Sequence, residues 1–180
     1  MSAPTIDLTE QQIIGALGDF LASVVASGTV VLLGQANFAP EPSAANFVIM
    51  WPIYRGRLAY NIDTWQFVSA PTTEQSEADM KVIYQIDVHG PLSGDNAQVI
   101  STLWNDDYAA VFFDALGYPL RPLYMADGQQ IPFVNAEQQN EFRYVLKAEM
   151  QGNFTISTSQ QFADTLTVGL INVDANYPPA

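Results

Sequence analysis

MKVIYQIDVHGPLSGDNAQVISTLWN, from Met80 to Asn105, changes its period half-way. Val82, Tyr84, Ile86 and Val88 alternate with Lys81, Gln85 and Asp87, which is the two-residue period of a strand with one apolar and one largely polar face. After Gly90-Pro91 and Ser93-Gly94-Asp95-Asn96, the apolar positions Val99, Ile100, Leu103, Trp104, Ala110, Val111 and Leu116 keep helical spacing as far as Gly117. Asp95 is the candidate N-cap, because its carboxylate can accept from the free N–H groups of a first turn. A strand that feeds one helix through a glycine turn is the unit from which the rest is read.

Outward from that unit, Thr9 and Gln12 have capping-box spacing, and Ile13, Ile14, Leu17, Leu21 and Val24 predict an amphipathic helix up to Val25. Val30 to Leu33 reads as a short buried strand, and Gly34 to Ala45, with Pro40 and Pro42, as a loop. Asn46 to Ala59 predicts a long strand whose Pro52 requires an edge or a bulge, since proline cannot donate to a ladder. Trp65 to Asp79, containing APTTEQSEAD, has no period and reads as an exposed excursion between strands. Prolines at 119, 122 and 132 predict short, interrupted strands over Pro119 to Val134. Phe142, Tyr144, Leu146, Ala148 and Met150 alternate with Arg143, Lys147 and Glu149 as a second long strand. FTIS and LTVGLINV read as further strands around a polar QQFAD turn. The fold class is therefore α+β: a mainly antiparallel sheet of about six strands with two main helices packed on it.

A chain of 180 residues fits one domain spanning 1–180, and at that size about 70% of the unfolded surface can be buried. Nineteen acidic against six basic residues give a formal net charge of -13. That balance argues against binding DNA by phosphate neutralisation and against an anionic membrane surface, both of which need clustered cations. Without cysteine there is no disulfide, thiolate metal site or sulfur nucleophile. MSAPTIDLTEQQ lacks the pattern of a secretory signal, and no apolar run reaches the roughly 18 residues of a membrane span, so a cytosolic origin is expected.

The chemical candidates are thin. His89 and Asp87 sit two apart on one strand and share a face, which is half of an acid–base pair. With no accompanying serine motif or second histidine, a structural histidine bonded to the turn after it outweighs catalysis. Asp107 and Asp114 fall seven apart on the second helix, near Asp106, where a solvated face outweighs a Mg²⁺ site. GxxxxGK[ST], GxSxG and HExxH are all missing. Trp51, Tyr54, Tyr60, Trp65 and Phe67 could stack on a sugar or a base, though packing and subunit contact are commoner uses of such clusters.

Five segments resemble phage neck or tail-terminator proteins: GQANFAPEP (34–42), NFVIMWPIYRGRLAYNIDT (46–64), QIDVHGPLSGDNAQVISTL (85–103), PLYMADGQQIPFVNAEQQNEFRYVLKAEMQ (122–151) and QQFADTLTVGLINVDANYP (160–178). They span most of the chain; Phe38 and the stretch Ala126-Asp127-Gly128 depart from the family pattern. The resemblance implies a virion protein with no enzymatic activity and no cofactor. It implies a hexameric ring that caps the tail tube, stops its growth and joins it to the connector above, with DNA passing through unbound. Expected partners are further copies of the chain, the tube protein, head-tail connector or adaptor proteins and the tail sheath.

On that reading Phe38, Pro40, Pro42, Trp51, Tyr54, Arg55, Arg57, His89 and Asp95 are candidates for subunit or neck contacts, and the edge near Pro52 is one side of a ring interface. The loops Gln35 to Ala45 and Trp65 to Asp79 are candidates for the two axial ends. Glu74, Glu77 and Asp79 are candidates for a lumen that repels phosphate. The rivals are another neck part, such as a head-tail joining or tail-completion protein; a small hydrolase using His89 and Asp87; and a carbohydrate-binding module using the aromatics.

Overall fold

In a computed structural model of the chain, residues 3–34, 42–66, 72–134 and 140–160 are described. Two strands of 18 residues each, β5 (Thr72–His89) and β10 (Arg143–Gln160), pair antiparallel along their whole length, from Arg143 opposite His89 to Gln160 opposite Thr72. The other elements, in chain order, are β1 (Thr5–Ile6), α1 (Glu10–Val24), β2 (Val30–Leu33), β3 (Phe47–Arg57) and β4 (Ile62–Gln66) before β5. α2 (Ser93–Trp104), α3 (Asp107–Ala115), β6 (Leu120–Met125), β7 (Gln129–Gln130), β8 (Phe133–Val134) and β9 (Asn140–Glu141) come between β5 and β10.

One edge of β5 carries β3 and, beyond it, β4; the far edge of β10 carries β7, β6 and β1 in turn. β2 joins β3 in parallel, and among the described residues β8 pairs only with β9. The α+β class stands. Among the described residues there are three helices and eight strands in the main sheet, because short rungs such as β1 and β7 have too few residues to show a period.

The helices cover one sheet face. Val82, Tyr84, Ile86 and Val88 of β5 and Leu146, Ala148 and Met150 of β10 meet Ile13, Leu17, Phe20 and Leu21 of α1 and Ile100 and Trp104 of α2, all of them buried. Phe20, Trp104 and Phe113 form an aromatic knot, with Trp104 edge-on to both phenylalanines at centroid distances of 5.4 and 5.7 Å. The capping box is present: Thr9 accepts from the Gln12 N–H, and the Gln12 side chain accepts from the Thr9 N–H.

Four expectations need correction. The predicted helix to Gly117 is two helices, because Asn105 turns its side chain onto the Met125 backbone (2.8 and 3.0 Å) and Asp106 caps α3 through the Tyr108 N–H. Asp95 is not the N-cap: Leu92 occupies that position and Asp95 lies in the first turn, where its charge still suits the helix dipole. Val30 to Leu33 is a half-exposed edge strand rather than a buried one. Residues 72–79 are no excursion but the first half of β5, and Trp65 lies in β4.

Gly90 makes the strand-to-helix turn with φ of +98°, and a Cβ there would fall on the Ala45 carbonyl oxygen. Gly90→Ala therefore combines left-handed strain with a backbone clash. It should lower the unfolding free energy by about 2 kcal/mol or more in urea titration, and a loss below about 0.5 kcal/mol would show that the turn relaxes freely.

Candidate interaction surfaces

On the sheet face away from the helices, the segment carrying β8 and β9 shelters a small polar cluster. Asp87 is 3% exposed and accepts from Arg143 Nη2 at 2.8 Å and from Gln85 Nε2 at 2.9 Å. His89, 4% exposed, stacks on Phe47 (4.5 Å, 10°) and takes the Phe133 ring edge-on at 5.2 Å. Its Nδ1 faces Glu141 at 3.6 Å and has no hydrogen-bond partner among the described residues, so the expected bond to the following turn is not made there. The Arg143 guanidinium lies over Phe133. His89 and Asp87 do share a face, but Asp87 is engaged by Arg143 and the imidazole presents almost no surface to a substrate.

Burial, and after it the nearby Arg143 cation, hold His89 below the ordinary histidine range, while Asp87 pulls the other way. Below about pH 6.5 the unfolded chain then binds more protons at this residue than the folded one. Stability from this source is complete above that pH and falls as pH drops toward the lower folded value. The urea midpoint should decline more between about pH 7 and about pH 5.5 for the natural protein than for His89→Leu; equal declines would remove His89 from the account.

The second surface lies along β3. Its register on β5 shifts between Pro52 and Tyr54, and β2 reaches only to Met50, so Pro52 sits at a bulge whose outer edge is open among the described residues. Both sequence expectations for Pro52 are met. The shift puts Arg55 on the helix side, where it pairs with Glu10 and lies 4.8 Å from the Phe154 ring centre. The Tyr84 hydroxyl also donates to Glu10; burial first, and then that bond, push the phenol far above its ordinary range. On the opposite face Trp51 lies over Gly34 and Tyr54 over Gly56, positions where a Cβ would collide with the rings. A cavity of about 390 Å³ opens beside Glu10, Ile53 and Arg55.

The third surface is the far end of the long strands. From Thr73 to Met80 no residue of β5 is buried, and β4 closes one side. Register puts Asp63, Trp65, Glu74, Ser76 and Ile156 on the helix-side face, and Ile62, Thr64, Glu77, Asp79 and Asn153 on the other. Glu74 bonds Gln160 and Asp63 bonds Ser76 on the first face; Asn153 donates to Glu77 on the second. The expected lumen acids are thus divided between two faces.

A family model described as phage neck terminator protein matches residues 11–176. The chain belongs to the phage neck terminator family. No curated protein matches it. This neck terminator is a phage neck structural component, which implies a place in the virion beside other head or tail proteins.

The remaining expected positions of the neck terminator are scattered. Phe38, Pro40 and Phe67 lie outside the described residues, and Pro42 is half-buried. Arg57 bonds Asn61 where β3 turns toward β4, and Asp95 is exposed on α2 beside Phe142 and Tyr144. Asp106 is a helix cap and Asp114 pairs with Arg121, and among the described residues no three His, Asp or Glu side chains are set to hold a metal. Sequence reasoning missed Arg143, Phe133 and Glu141 as the partners of Asp87 and His89. Arg143 stood on the polar face of a predicted strand, but nothing local revealed its register against β5.

Proposed function

We propose that the protein is a structural, non-catalytic ring subunit, hexameric in the assembled neck, that caps the head-proximal end of the tail tube, stops tube growth and joins the tail to the connector. The observation that carries this reading is the family match over nearly the whole chain. The edge of β3, open beyond Met50 among the described residues, supports it physically, because a ring needs one face of a subunit to meet a different face of the next, and a strand margin with Trp51, Tyr54 and Arg57 beside it is such a face. Partners on this reading are neighbouring copies, the tube protein, connector or adaptor proteins and the sheath.

DNA passes through the ring without specific binding. Glu77 and Asp79, on the face away from the helices, line the passage and repel phosphate; Glu74 belongs to the other face. Negative-stain microscopy of the purified protein with isolated tail tubes tests the whole reading: rings seated on one tube end are expected, and tubes that stay bare and keep growing in its presence would overturn it. Glu77→Lys with Asp79→Lys should slow DNA ejection while rings still form; unchanged ejection would remove the two acids from the passage.

A further inference from the structure

The free margin of β4 combines three properties that no other part of the described sheet edge brings together. It is an unpaired edge, since β4 bonds only to β5 among the described residues. It is apolar, with Tyr60 97%, Ile62 60% and Trp65 50% exposed. It is acidic, because residues 58–66, 72–79 and 153–160 hold Asp63, Glu74, Glu77 and Asp79 and no lysine or arginine. An exposed flat edge invites pairing unless something blunts it, and neither lysine nor proline stands within β4.

The charge inventory decides what covers it. Of the six cations, Arg55, Lys81, Arg121 and Arg143 are in ion pairs with Glu10, Glu149, Asp114 and Asp87. Arg57 bonds Asn61, next to β4 in the chain, which leaves Lys147 as the cation without a partner among the described residues. A second copy therefore cannot supply the positive charge that Asp63 and Glu74 on the helix-side face call for, and nucleic acid would bring more negative charge.

We propose that β4 is the docking edge for an extended, cationic segment of a different protein, which adds to the sheet as a further strand. Register sets its pattern. Side chains that project to the helix-side face lie beside Asp63 and Trp65, where lysine or arginine gains both charge pairing and an aromatic face, and a long cationic chain crossing β4 reaches toward Glu74. Those on the other face meet Ile62 and take an apolar residue. The face lined by Pro4, Glu74, Ser76, Ile156 and Thr158 holds a groove of about 680 Å³ that accommodates the long cationic chains. This goes beyond the ring contact on β3, which can hold or fail without moving the outcome below.

The probe is a fluorescein-labelled peptide of alternating lysine and valine, followed by anisotropy against the full chain at low ionic strength. Binding is expected, together with a loss of about tenfold or more in Asp63→Lys with Glu74→Lys. Asp107→Lys with Asp127→Lys changes the net charge equally at exposed sites elsewhere and should leave affinity within about twofold. Methylating alternate backbone nitrogens of the peptide should abolish binding for one of the two alternate sets, since only one set faces the β4 edge. The proposal is overturned if both methylated peptides bind as well as the parent, or if the control pair weakens binding as much as the β4 pair. It is equally overturned if Trp65→Ala alters the oligomeric state of the protein alone, for the edge is then a contact between copies.

Discussion

Asp87→Ala should destabilise the protein by about 3 kcal/mol or more, the usual cost of leaving one partner of a buried ion pair without its counter-charge. Asp87 is 3% exposed and takes two side-chain donors, Arg143 and Gln85. The Arg143 Nε already lacks a partner among the described residues, so the cation left behind would keep only the Phe133 face and the part of its side chain that reaches water. The measurement is a urea titration of three proteins. The single variant loses most, whereas Asp87→Leu combined with Arg143→Met returns to within about 1 kcal/mol of the natural chain, because an apolar pair fills the space without a desolvation cost. A double variant as unstable as the single one would mean that the charges organise the segment of β8 and β9 beyond their own pairing.

Trp104→Ala is expected to cost about 3–5 kcal/mol, since it empties the aromatic knot at the meeting of all three helices. Trp104 is 1% exposed and packs edge-on against Phe20 and Phe113, which are themselves stacked at 5.7 Å. Its indole Nε1 has no hydrogen-bond partner among the described residues. What the site requires is therefore ring volume, and Trp104→Phe should recover more than half of the loss. The denaturant midpoint should move with the slope unchanged. A fall in slope would indicate that the helices detach before the sheet unfolds.

The legible parts of the fold were those where one face is dry and the other wet. Alternation at Val82 to Val88 and at Tyr144 to Met150 marks the stretches of β5 and β10 that lie under the helices. Beyond them, at 73–79 and 155–160, no helix among the described residues covers the strands and no residue is buried, so no alternation survives in the sequence although the ladder continues without a break. The break between α2 and α3 was hidden for the converse reason: apolar spacing persists across it, and the helix is interrupted by the long-range bond of Asn105 to Met125 together with the Asp106 cap. At the sites, the shared face of Asp87 and His89 followed from a spacing of two. The pairing of Asp87 with Arg143, 56 residues away, required a register that no local pattern contains. The bulge was foreshadowed by Pro52, yet its effect of turning Arg55 toward Glu10 depends on α1 passing there.

The unbroken pairing of β5 with β10 also has a mechanical meaning. Its backbone bonds run across the strand direction, so a pull on β5 at Thr72 that is resisted through β10 at Arg143 loads the bonds of the whole ladder at once, in shear, instead of peeling them one by one. Tension along that axis meets the stiffest direction the polypeptide has.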